Sequence, residues 1–244
     1  MTVPDFQKFI GEERLYYEND GTNLFAFSLG QAARYYSFIS IILERYRLCG
    51  AEYEVETRTF AKLLQAAGSK ELDAADLAMI EKSRRLSALV HLEVESFYLF
   101  TKIFLDQLAR FIENHFGQVR RMSLDSHDNL GKRFFSYASE RNLIYSSDLL
   151  DNARRLKETI CDYRDYEIAH SKNPRMLHAT TFGGASGPLI ARTPGYPKAT
   201  DKLQTQSESP IELMREVDAY VVLIFRLIAE NRAKSKFRLS DASE

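Results

Sequence analysis

Phe97-Tyr98-Leu99-Phe100-Thr101-Lys102-Ile103-Phe104-Leu105-Asp106-Gln107-Leu108-Ala109-Arg110-Phe111-Ile112-Glu113 is the stretch that decides the fold. Successive residues of a helix turn by about 100°. On that projection Lys102, Asp106 and Glu113, with His91 and Glu95 upstream, fall within about 40° of one another. Phe97, Phe100, Ile103, Phe104, Leu108, Phe111 and Ile112 cover nearly every other direction. A helix this apolar is expected to be the buried spine of a helical bundle, with one narrow polar stripe. The stripe could line a site or a seam between subunits. It could equally be an exposed strip held by helix-spaced ion pairs such as Lys102 with Asp106.

Working outward, the spine is expected to run from about Leu77 to Phe116, with Asp73 as N-cap and Gly117 as the terminating glycine. Its length allows a break near Ser87 to His91. Upstream, apolar periodicity predicts a helix from about Asn23 to Leu48, stopped by Gly50, and a second from Glu52 to Ala67, stopped by Gly68. Downstream, helices are predicted over Leu124 to Tyr137 and Ser147 to Ala169. The last helix has the strongest start: Ser209-Pro210-Ile211-Glu212 offers a cap, a proline at the first helical position and a reciprocal glutamate. It should reach about Arg232, with Arg232, Lys234, Lys236 and Arg238 suiting the C-terminal end of its dipole.

Ser171 to Glu208 breaks the helical pattern. Five of the six prolines lie between Pro174 and Pro210, and Arg175 to Phe182 can pair with Pro188 to Thr193 as a hairpin around Gly183-Gly184-Ala185-Ser186-Gly187. The expected fold is all-α: a bundle of about six to seven helices with a Pro/Gly-rich crossover or short hairpin before the last. Residues 1–70 are expected as N-terminal helices packed on a core formed by 71–236, the long loop being 171–208, all one structural unit.

Formal net charge is -1 over 244 residues, so no global field draws the chain to nucleic acid or membrane. Two distant cysteines, Cys49 and Cys161, exclude a disulfide framework and a thiolate zinc site. The longest apolar run, Ala219 to Phe225, falls far short of the roughly 20 residues of a membrane span. The first residues carry neither the basic start nor the apolar stretch of a signal peptide. A cytoplasmic protein is the expectation.

Chemistry concentrates at Tyr163-Arg164-Asp165-Tyr166-Glu167-Ile168-Ala169-His170, where a helix should end because Ser171-Lys172-Asn173-Pro174 follows. The stretch resembles the active-site motif of HEPN-domain proteins, helical-bundle proteins of prokaryotic toxin and defence systems. Their motif is an arginine, usually a polar residue next, then a histidine after four to six positions. Here Arg164, Asp165 and His170 match, following a long aromatic-rich helix, and the resemblance spans roughly Leu77 to Arg232. It implies a metal-independent endoribonuclease without a cofactor, acting on RNA as a homodimer, with an antitoxin or another protein as partner. His170 would serve as general base or acid and Arg164 would hold the phosphate, Asp165 orienting either. Lys172, Arg175 and His178 just beyond are the expected substrate-binding residues, with Arg192 and Lys198 as further loop cations. Lys172 also replaces the tyrosine that some members modify, so that form of regulation is not expected.

The bare pattern recurs: Arg85 precedes His91, Arg110 precedes His115, and Arg121 precedes His127 at permitted distances. Six steps of helix also rotate about 240°, so Arg164 and His170 do not share one helical face. Either the helix unwinds near Ala169 or a second subunit completes the site. The alternative reading is a catalytically inactive helical module that binds a protein or nucleic acid. Glu167 and His170 have the spacing of a di-iron ligand pair, but the sequence holds no second pair.

Overall fold

The computed structural model describes residues 3–67, 73–161, 178–180, 189–191 and 209–237. They form an all-α bundle: α1 (Phe6–Glu13), α2 (Asn19–Ala67), α3 (Ala74–Phe116), α4 (His127–Glu140), α5 (Ser147–Leu156) and α6 (Pro210–Glu230). Before α6, β1 (His178–Thr180) and β2 (Leu189–Ala191) pair antiparallel, His178 opposite Ala191 and Thr180 opposite Leu189. Both strands fall within the expected hairpin, whose remaining residues lie outside the described ones. Among the described residues no helix is long and apolar enough to cross a membrane.

The local start and stop signals act as read. Asp73 Oδ1 accepts from the backbone N–H of Ala75 at 2.9 Å and of Asp76 at 3.0 Å, capping α3. Ser209 and Glu212 exchange bonds at the start of α6: Ser209 N–H to Glu212 Oε2 at 3.0 Å, and Glu212 N–H to Ser209 Oγ at 3.3 Å. Gly117 ends α3 with φ of 87°, the left-handed conformation that disfavours a side chain. α4 begins at His127, later than predicted, because Ser126 supplies its cap: Asn129 N–H donates to Ser126 Oγ.

Three expectations are corrected. Gly50 does not stop a helix; α2 runs unbroken for 49 residues with Gly50 buried inside it. A helical glycine costs only about 1 kcal/mol, which a long packed helix absorbs. α3 is likewise continuous through Ser87 to His91. The basic residues after α6 do not simply complement its dipole. Arg232 makes a forked bond to Glu13 of α1, at 2.8 Å from Nε and 2.5 Å from Nη2, and Lys234 donates to the Asn142 carbonyl. Lys236 donates its backbone N–H to the His115 carbonyl at 2.8 Å; Arg238 lies outside the described residues.

The described residues gather into two compact units. One takes the chain up to Ile39, then from Tyr98, and again from Met214; the other takes Ser40–Phe97 and a segment ending at Leu213. In the first, the spine behaves as expected: Phe104, Leu105, Leu108, Ala109 and Ile112 have no exposure, nor do Phe134 of α4, Leu156 of α5 and Val221 and Ile224 of α6. α1, which no motif announced, contributes Phe6, whose ring meets those of Tyr36 at 5.0 Å and Phe225 at 5.1 Å. In the second unit, α2 and α3 run antiparallel, tied by Arg45 to Glu93 at 2.5 Å and by Lys82 to Glu52 and Glu56.

Candidate active site

Arg164, Asp165, His170, Lys172 and Arg175 lie outside the described residues, as do Glu167, Arg192 and Lys198. For His178 the backbone is described, in β1, and the side chain is not. What the structure does show is the rod that leads to the motif and the fate of the competing histidines.

The rod starts at Ser146, whose Oγ accepts from Asp148 N–H at 3.2 Å. α5 buries Leu149, Ala153 and Leu156, and the same side continues into Ile160 and Cys161. Over Lys157–Cys161 the helix widens into a π turn. Such turns place an extra residue in the spiral, and they recur beside functional sites. The flanking cations are answered by acids: Arg155 by Glu216, and Lys157 by Asp128 at 3.8 Å.

His115 is the first competitor, and it is buried completely. Its ring lies among those of Tyr17, Phe25, Phe111, Phe116 and Phe237, and among the described residues neither ring nitrogen has a hydrogen-bonding partner. Burial lowers its pKa from 6.5 to about 3. Arg110 points elsewhere, exposed, with Nε donating to the Asp125 carbonyl at 2.9 Å. His127 is also wholly buried. Its Nε2 lies 2.9 Å from the Ala153 carbonyl and must therefore carry the proton and donate it. Burial is the main cause that brings its pKa down to about 4, against the opposing pull of that carbonyl and of Asp106. Its arginine, Arg121, sits exposed in a left-handed turn at φ of 65°. Both imidazoles are neutral packing groups out of reach of any substrate. His91 is half-buried and engaged with its surroundings, while Arg85 is exposed.

The polar stripe of α3 also has its employment. Lys102 Nζ sits 2.7 Å from both oxygens of Asp106, the ion pair expected at that spacing. The pair is not an exposed strip, however: the side chains are 13% and 22% exposed. Asp106 Oδ1 accepts the backbone N–H of His127 at 2.8 Å, so the stripe seats the first turn of α4. Glu113, 7% exposed, accepts from Ser123 Oγ at 3.2 Å and holds the loop before it. Among the described residues no group of three His, Cys, Asp or Glu side chains converges to hold a metal ion. Set beside known proteins, the chain matches no family model, no curated protein and no solved structure.

Proposed function

We propose that this is a HEPN-like helical protein acting as a metal-independent endoribonuclease of a toxin or phage-defence system. The observation that carries the reading is the disposal of two of its three rivals. Arg110 with His115 and Arg121 with His127 fit the bare motif, yet both histidines are interior groups kept neutral by burial. Arg164 and His170 keep the motif's own context, an acid after the arginine and a proline-closed segment after the histidine. The all-α bundle and the π turn that precedes the motif agree with it.

In this mechanism two copies of the chain bring Arg164 and His170 to one groove. His170 takes the proton of a ribose 2′-hydroxyl, whose oxygen attacks the adjacent phosphorus. Arg164 holds the phosphate oxygens through paired N–H donors as charge grows on them. The 5′-oxygen leaves with a proton given by His170 of the second copy acting as acid, and the products are a cyclic phosphate end and a free 5′-hydroxyl. DNA, lacking the nucleophile, should be inert. The test is incubation of purified protein with structured and single-stranded RNA in excess chelator. Cleavage lost on His170→Ala and on Arg164→Ala is the expected result; cleavage that persists unchanged in His170→Ala removes the proposal.

A second reading, a catalytically inactive binding module for a protein or nucleic-acid partner, is favoured by one feature. In the second unit Ile41, Leu48 and Val55 of α2 recur at heptad spacing and each is more than half exposed. This reading gains if wild-type protein leaves RNA intact while Leu48→Glu, folded by circular dichroism, changes its sedimentation.

A further inference from the structure

The first unit contains a hollow that no sequence motif marks. It has a volume of about 570 Å³ and lies between the start of α2, the end of α3 and the segment after α6. That size is in the range of small-molecule sites. Its walls divide into three chemistries. Phe111 and Phe237 form a buried apolar floor, while Leu24 and Phe27 stand at 57% and 70% exposure. Gln31 and Gln107 supply carboxamides that bond to nothing else among the described residues, and Asn114 is joined to Ser28 by a long contact of 3.5 Å. Arg110 and Lys236 supply positive charge from two different elements.

Those two cations are held in place by bonds that leave their charged ends free. Among the described residues Arg110 spends only Nε, on the Asp125 carbonyl, so its two terminal nitrogens remain as donors. The backbone of Lys236 is pinned to the His115 carbonyl, and no acid lies within ion-pair distance of either group among the described residues. Glu18, also on the wall, is a single negative charge against two positive ones. Two free cations, unpaired amides and exposed aromatic surface around one cavity match an organic anion with a ring or chain attached. With one acid present, the match is better to a single negative charge than to several.

We propose that this cavity is a binding site for a small amphipathic monoanion. The oxyanion lies on Arg110 and Lys236, the apolar body on Phe27, Phe111 and Phe237, and Gln31 and Gln107 bond its polar edge. The proposal is independent of the ribonuclease reading, since it uses no residue of the Arg164–His170 segment.

The probe is 1-anilinonaphthalene-8-sulfonate, an aromatic monoanion whose emission rises in apolar surroundings, beside uncharged N-phenyl-1-naphthylamine. Saturable binding of one sulfonate per chain is expected, weakened by about tenfold or more in Arg110→Gln/Lys236→Gln. The uncharged probe should bind that variant as it binds wild type, which also shows that the fold is intact. Phe27→Ser should weaken both probes. His170→Ala should leave both unchanged, so failure of the nuclease assay does not touch this result. Displacement by indole-3-acetate against phenyl phosphate tells a carboxylate ligand from a phosphate one. Sulfonate binding that never saturates, or that the double variant retains in full, overturns the proposal. Equal weakening of both probes in that variant overturns it as well.

Discussion

Acid should destabilise this protein well above the range where carboxylates ordinarily titrate, and His115 is the group to follow. In the unfolded chain both His115 and His127 take up a proton near 6.5. In the folded chain burial postpones that to about 3 for His115 and about 4 for His127. Their folded affinities are thus lowered, and their contribution to stability is complete above 6.5. It drains away as the pH falls from 6.5 towards those folded values, because only the unfolded state binds protons there. Each group costs about 1.4 kcal/mol per pH unit in that window. At pH 5 the loss is about 2 kcal/mol apiece, or about 4 kcal/mol together, a large share of the 5–15 kcal/mol that ordinarily separates folded from unfolded chains. Asp218, whose carboxyl burial raises, works in the opposite sense and favours the fold in acid. The assay is urea unfolding at pH 7, 6 and 5, followed by circular dichroism since the chain has no tryptophan. His115→Leu should remove about half of the slope. At pH 7 the same substitution should be neutral or stabilising, because the imidazole nitrogens it deletes are buried without partners. A variant whose stability falls with pH in parallel with wild type would show that His115 is not held neutral by its cage.

Four further outcomes follow from single contacts. Asn231→Ala should cost about 2–4 kcal/mol in the same unfolding assay, since the buried amide alone answers both backbone groups of Ile144, at 2.7 Å each. Arg232→Ala should cost about 2–3 kcal/mol by leaving Glu13, 3% exposed, without its forked partner; Glu13→Gln should cost less. Gly117→Ala should cost about 1–2 kcal/mol, because φ is 87° and the new methyl would stand 3.1 Å from Arg141 Nη2. Gly30→Ala and Gly131→Ala, in open space on α2 and α4, should each add about 0.5–1 kcal/mol, read as a raised midpoint.

The features legible in the sequence were those fixed by neighbours in the chain. The caps at Asp73 and Ser209 and the glycine after Phe116 act over three or four residues, so residue type and spacing suffice to place them. Gly50 misled because its small local cost is set against the packing of a 49-residue helix, a sum that no short window contains. α1 escaped notice for the same reason: eight residues hold few periodic positions, and Phe6 acquires meaning only from Tyr36, Phe104 and Phe225. The hollow beneath Phe27 belongs here too, its walls being drawn from three separate stretches of chain.

The histidines show the limit most sharply, and the same contrast bears on function. Arg110 with His115 and Arg164 with His170 both satisfy the bare spacing rule, because such a rule counts residues and ignores environment. What separates a base from a packing group is whether water and substrate reach the ring, and burial answers that for His115 and His127 alone. The charged stripe of α3 makes a similar point: Lys102, Asp106 and Glu113 look like a site in projection, yet they are committed to the start of α4 and the loop before it. Moving Asp106 or Glu113 to chemistry would strip the N–H of His127 or the Ser123 hydroxyl of its partner. On the proposed nuclease reading, phosphate chemistry would have to come from groups other than these committed ones. Arg164 and His170 are the pair on which that requirement can be tested by substitution.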